Sequence, residues 1–205
     1  MSIVKLNNRG VKNATAFGSA VTSLGSMVFI KKVTASSSAT VSFVDGTSDV
    51  VLDDTYKEYL FTFNNIHPAT DGKDLNVGFR DGGSAYDAVK TSSFFWSYHG
   101  EDDVSILQYS GGRDLAQSTA FQPISANIGN DNDQSGCGTL HLFNPSSTTF
   151  VKHFIARTNI YENGDYTIDS FTAGYINTTT AIDGVQFKMN SGNIDAGDIC
   201  LYGIA

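Results

Sequence analysis

The chain reads as an all-β protein, an antiparallel jelly-roll-like β-sandwich preceded by an extended N-terminal arm, and three observations predict this. Apolar and polar side chains alternate along many short runs, as where Tyr59, Phe61 and Phe63 interleave with Leu60, Thr62 and Asn64, which is the two-residue period of a half-buried strand. No segment sustains an apolar repeat of helical period. Turn-forming clusters cut the runs at short, even spacing, the pattern of a sandwich and not of alternating strands and helices.

The elements follow in order. Residues 1–26 form the arm, basic at first and then rich in small residues, with Phe17 as its only aromatic residue. Alone it buries little, so it is either a frayed terminus or an arm that orders by packing on a neighbouring subunit, with Lys5, Arg9, Lys12 and Phe17 as the anchoring residues. Residues 27–205 form the sandwich. Alternation predicts strands at 27–34, 39–44, 58–64, 75–80, 93–99, 104–109 and 120–124, and four or more in the C-terminal half. Asp53-Asp54-Thr55-Tyr56 reads as one helical turn. The run from Thr139 to Arg157 is a hairpin, because Asn144, Pro145, Ser146 and Ser147 sit between two alternating stretches and are turn formers. After it, residues 182–189 lead through the glycine turn Asn190-Ser191-Gly192-Asn193 into a closing strand at 199–203. No repeat of 20 to 50 residues is visible, which disfavours solenoids and propellers.

Composition fits this reading. A chain of 205 residues suffices for one large β domain. Fourteen Phe and nine Tyr against one Trp supply an aromatic core on a pleated surface. Charged residues are only 17%, and the formal net charge is −8, so the field of the chain repels phosphate backbones and anionic lipid headgroups. Nucleic acid is therefore not an expected partner. The N-terminus has no apolar run of signal-peptide length and no stretch approaches a membrane span. The expectation is a protein made in a cytoplasm that leaves by a route other than secretion. Cys137 and Cys200 lie in separate predicted strands among apolar residues and read as buried free thiols, with a disulfide as the alternative.

Several constellations bear on chemistry. Asp131-Asn132-Asp133-Gln134-Ser135-Gly136 opens like a calcium loop, with oxygen side chains at alternate positions and glycine sixth, but position twelve is Leu142 where a bidentate Glu is needed. The reading is an Asx-rich turn with no cofactor, and Asp131 and Asp133 remain the candidate ligands of an irregular Ca2+ site. His141 and His153 flank the hairpin turn almost symmetrically and are candidate cross-strand neighbours. In Phe94-Phe95-Trp96-Ser97-Tyr98-His99, alternate residues share a face. If Phe95 is buried, Trp96 and Tyr98 form an exposed platform for the apolar face of a sugar; otherwise Phe94, Trp96 and Tyr98 are core. The loops Asp81 to Ser84 and Ser110 to Asp114 are flexible borders for such a site.

A glycosidase needs two carboxylates across the scissile bond. Glu58, Glu101 and Glu162 do not fall in the Glu-x-Asp-x-x-Glu pattern of laminarinase-like enzymes, and Glu101-Asp102-Asp103 reads as a solvated loop. A Gly-x-Ser-x-Gly elbow and a phosphate-cradling Gly-x-x-x-x-Gly-Lys-Ser/Thr are also missing. The sequence argues for a protein that is not an enzyme.

Three separated blocks, TASSSATVSFVDG at 34–46, NNIHPATD at 64–71 and the C-terminal run from Cys137 to Gly203, together resemble a domain family of virion proteins in marine tailed phages. The resemblance covers nearly everything from about Gly25 onward and implies a concanavalin-like jelly roll located in the virion. It transfers no catalytic residue. It implies a structural protein of the particle, of the fibre or tail-appendage kind, assembled in the host cytoplasm as a trimer or other homo-oligomer. Its partners would be other virion proteins and a host-surface glycan. The alternative is a capsid decoration protein whose arm grips the major capsid lattice. A polysaccharide-cleaving enzyme is the third reading.

Overall fold

The computed structural model describes residues 26–205; Lys5, Arg9, Lys12 and Phe17 of the arm lie outside them. Twelve strands run in the order β1 (Met27–Ser38), β2 (Val41–Val44), β3 (Glu58–Pro68), β4 (Leu75–Arg80), β5 (Lys90–Gly100), β6 (Ser105–Tyr109), β7 (Gln122–Pro123), β8 (Gly136–Phe143), β9 (Lys152–Glu162), β10 (Tyr166–Ile176), β11 (Gly184–Met189) and β12 (Ile194–Ile204). No helix occurs among the described residues. All named pairings are antiparallel. The eight-stranded sheet has the order β1-β12-β3-β8-β9-β10-β5-β6, and the four-stranded sheet β2-β11-β4-β7. The chain passes repeatedly from one sheet to the other, and the two pack as a β-sandwich.

Alternation puts the core where the two sheets meet. Tyr59, Phe61 and Phe63 of β3 are all within 2% of full burial. The Phe61 ring packs edge-on against Phe43 of β2 and Phe187 of β11, both at 5.3 Å between centroids. Phe79 of β4 meets Phe154 of β9 at 5.2 Å. These T-shaped and tilted pairs add to the burial of each ring, itself worth about 1.5–3 kcal/mol.

The predicted hairpin is present: β8 and β9 pair from Gly136↔Ile160 to Leu142↔Phe154, and the turn closes through the Ser147 N–H donating to the Asn144 carbonyl at 3.1 Å. The turn between β11 and β12 places Gly192 at φ 75°, a left-handed conformation that glycine adopts without steric cost. Gly197 sits at φ 122° beside an irregularity in the β12–β3 register, where a Cβ would come within 2.7 Å of the Asn65 carbonyl oxygen. Asp53 to Tyr56 are not a helical turn. The Asp53 carboxylate takes the Thr55 N–H at 2.8 Å, and an Asx turn of this kind competes with helix formation for the backbone.

Candidate functional site

The smaller sheet covers one face of the larger, and among the described residues the other face stands free. Along β9, even-numbered residues from Lys152 to Ile160 are buried while His153, Ile155, Arg157 and Asn159 are exposed, so the side chains of these four point to the free face. Register extends this face into cross-strand rows. Tyr109, Phe95, Phe171, Arg157 and Thr139 form one row, Leu107, Ser97, Asp169, Asn159 and Cys137 the next, and Ser105, His99, Thr167 and Tyr161 a third.

The first row is a ridge. Phe95 and Phe171 stack with centroids 4.8 Å apart and planes 4° from parallel, and the Arg157 guanidinium lies 4.8 Å over Phe171. Asp169 fixes that arginine, accepting from Nε at 3.1 Å and from Nη2 at 2.7 Å. Both hydrogen bonds and charge favour the protonated guanidinium. The fork leaves Phe95 half exposed and Arg157 held flat against its neighbour.

Beside the ridge runs a shallow channel formed by three joined depressions. The first, of about 550 Å³, is lined by Asn65, His99, Glu101, Cys137, Asn159, Tyr161 and Thr167. The second, of about 520 Å³, shares His99 and Thr167 with it and adds Ser97, Leu107 and Asp169. The third, of about 370 Å³, shares Cys137 and Asn159 with the first and adds Thr139 and Arg157. Asn159 is anchored at its amide, donating to Thr167 Oγ1 at 2.9 Å and to the Ile168 carbonyl at 3.2 Å. Tyr161 donates to Asp165 at 3.1 Å, and that bond pushes its hydroxyl up to about 12. The channel therefore sets hydroxyls, amides, the Arg157–Asp169 pair and the exposed Glu101 within a largely apolar surface, with an aromatic ridge along it.

Of the sequence-derived candidates, Tyr98 contributes to the second depression, and the others fall elsewhere. Phe94 is fully buried and Phe95 exposed, so Trp96 and Tyr98 lie on the core side, where both are half-buried against the core and form no exposed platform. Trp96 packs edge-on against Phe94 at 6.2 Å and under the Arg113 guanidinium at 4.6 Å, while Tyr98 meets Tyr166 at 5.1 Å. Arg113 is in turn held by Asp74 at 3.0 Å, so the Ser110 to Asp114 loop covers Trp96 and does not border the channel. Asp131 closes a turn, its carbonyl accepting from the Gln134 N–H at 2.9 Å and lying 3.2 Å from His67 Nε2. Asp131 and Asp133 are not joined by further ligands: among the described residues no three His, Cys, Asp or Glu side chains gather as a metal would need. His141 lies opposite Ile155 and not His153, and it pairs with Glu58 at 2.5 Å, while His153 leans on Tyr175. Both cysteines are free, but only Cys200 is buried; Cys137 is exposed because its strand position points into the channel.

The ridge and channel were not singled out from sequence. Their one linear trace is the polar alternation Arg157, Asn159, Tyr161 against buried Ala156, Thr158, Ile160. Compared with protein-family models, with curated proteins and with solved structures, the chain matches none.

Proposed function

We propose that the chain is a non-catalytic attachment protein of a tailed-phage particle, of the fibre or tail-appendage kind, and that the free face of its larger sheet holds a host-surface carbohydrate chain. The observation that supports this reading is the channel itself. Its hydroxyl and amide lining matches the hydrogen-bonding groups of sugars, and its aromatic ridge offers the apolar contact that a sugar ring makes. The placement in a phage particle rests on the resemblance of the three sequence blocks.

Hydrolysis fits the channel less well than binding does. General acid and base catalysis needs two carboxyl groups free to exchange protons with substrate. Here Asp169 is tied into the Arg157 fork and Asp165 accepts from Tyr161, which leaves Glu101 as a single untied carboxylate in the lining where two are needed. The experiment is a binding titration of purified host-surface polysaccharide, with reducing ends counted in the same samples. Saturable binding without new reducing ends supports the reading; release of reducing ends overturns it in favour of an enzyme. Gold-labelled antibody on intact particles places the protein: label at the tail supports attachment, and label spread over the head makes it a capsid decoration protein.

A further inference from the structure

We propose that β6 is the seam of a two-fold dimer, in which Ser105–Tyr109 of two copies pair antiparallel about Leu107 and join two eight-stranded sheets into one. This is independent of what the channel binds.

A sheet edge presents unpaired N–H and C=O groups, and proteins that remain monomeric blunt such edges with charge, proline, bulges or shortness. Among the described residues there are four sheet edges, and three of them are very short or charged. β2 has four residues and β7 only two. β1 carries Lys31 and Lys32, with a register shift between Phe29 and Lys31. β6, one residue longer than β2, is the longest edge among the described residues without charge, proline or bulge: Ser-Ile-Leu-Gln-Tyr contains no charge and no proline, pairs with β5 without a bulge, and is exposed along its whole length.

The hydrogen-bond polarity of that edge can be assigned. Gly100 N–H donates to the Val104 carbonyl at 2.8 Å and Ser110 N–H to the Phe94 carbonyl at 2.9 Å. Residues 104 and 110 thus turn their backbone groups toward β5, as do Ile106 and Gln108 between them. Ser105, Leu107 and Tyr109 consequently offer theirs to the open edge. Reversing a second copy about Leu107 sets Leu107 opposite Leu107 and Ser105 opposite Tyr109, each a pair able to exchange two N–H···O=C bonds.

The occupant is a second copy because the flanks of β6 complement one another only when reversed. The strand is preceded by Glu101, Asp102 and Asp103 and followed by Ser110, Gly111 and Gly112; the charges beyond, Arg113 and Asp114, are engaged by Asp74 and by the Tyr109 hydroxyl. In the two-fold arrangement each acidic turn lies beside the partner's uncharged glycine turn. A parallel arrangement stacks the two acidic turns on each other, at a cost in a chain of net charge −8. Pairing also covers Leu107 and Tyr109, which are 71% and 57% exposed. Since Leu107 lines the channel, the two channels meet at the seam.

The test is sedimentation equilibrium of the full chain from low micromolar to several hundred micromolar. A reversible dimer is expected. Leu107→Pro removes an N–H that points away from β5, a position where an edge strand tolerates proline, and it should raise the dimer dissociation constant by more than tenfold with the unfolding temperature preserved. Leu107→Lys should do the same by charge alone. Phe150→Lys, at an equally exposed apolar side chain in the turn between β8 and β9, should leave the dimer unchanged. A chain that stays monomeric throughout, or a dimer that survives both Leu107 substitutions, overturns the proposal.

Discussion

Lys90 offers the sharpest test of how the sandwich is held together, because it buries an amine with no carboxylate in contact. It opens β5 with no exposed surface, and its Nζ donates only to the Ala120 carbonyl at 2.7 Å. Burial pulls its pKa down from 10.5 to about 8, against the weaker pull of Asp87 and Asp81. Below pH 8 the amine is charged in both the folded and the unfolded chain, and it contributes no pH dependence. Between pH 8 and 10.5 it is neutral when folded and still charged when unfolded. The unfolded state then binds the extra proton, so stability rises with pH across that window. At about 1.4 kcal/mol per pH unit, the interval from about 8 to 10.5 corresponds to about 3 kcal/mol.

Tyrosines oppose this at the alkaline end. Tyr59 and Tyr161 have pKa values raised in the folded state, and they lose stability as pH climbs past their unfolded values. The difference between parent and Lys90→Met isolates the amine. Urea unfolding of both proteins at steps from pH 7 to 10.5, followed by Trp96 fluorescence and circular dichroism, should show the parent gaining about 3 kcal/mol on the variant across the window. Two stability curves that run parallel would refute the reasoning, since they would mean that the loop carrying Ala120 leaves the amine in water.

Other expectations follow from the same contacts. Phe61→Ala, at a fully buried ring between Phe43 and Phe187, should cost about 3–5 kcal/mol in the same unfolding assay. Gly197→Ala should destabilise as well, because the methyl meets the Asn65 carbonyl in a left-handed conformation; a neutral result would show that the β12 irregularity relaxes freely. A thiol reagent should label Cys137 at once and Cys200 only on unfolding, read as one fast and one slow equivalent. Asn159→Ala should raise the dissociation constant for bound polysaccharide about tenfold, one hydrogen bond's worth, without moving the unfolding midpoint by more than a few degrees.

Which parts of this molecule were legible in its sequence follows from what local alternation can encode. β4 has the bounds that alternation predicts, and the hairpin of β8 and β9 was marked by its own turn residues. β1 runs on to Ser38 through three serines that carry little strand propensity, because β12 supplies partners from Ile194 to Asp198. That pairing spans more than 150 residues, and no local signal carries it. β7 shrinks to two residues for the converse reason, since β4 offers it only Asn76 and Val77.

The aromatic cluster of β5 shows where pattern alone runs out. Phe94, Trp96 and Tyr98 on one face and Phe95 on the other are both apolar sets, so binary patterning leaves the buried face undecided. The neighbours decide it. β10 brings Ile168, Ser170 and Thr172 to the inner side and Phe171 to the outer, and Phe171 gives Phe95 a stacking partner that half-shields it from water. Trp96 gains Arg113 from a loop on the inner side instead. A face assignment in such a strand is thus a property of the strand beside it. The channel could emerge only once β10 was known to lie between β9 and β5, for its lining is drawn from six strands and its hydrogen bonds run between them.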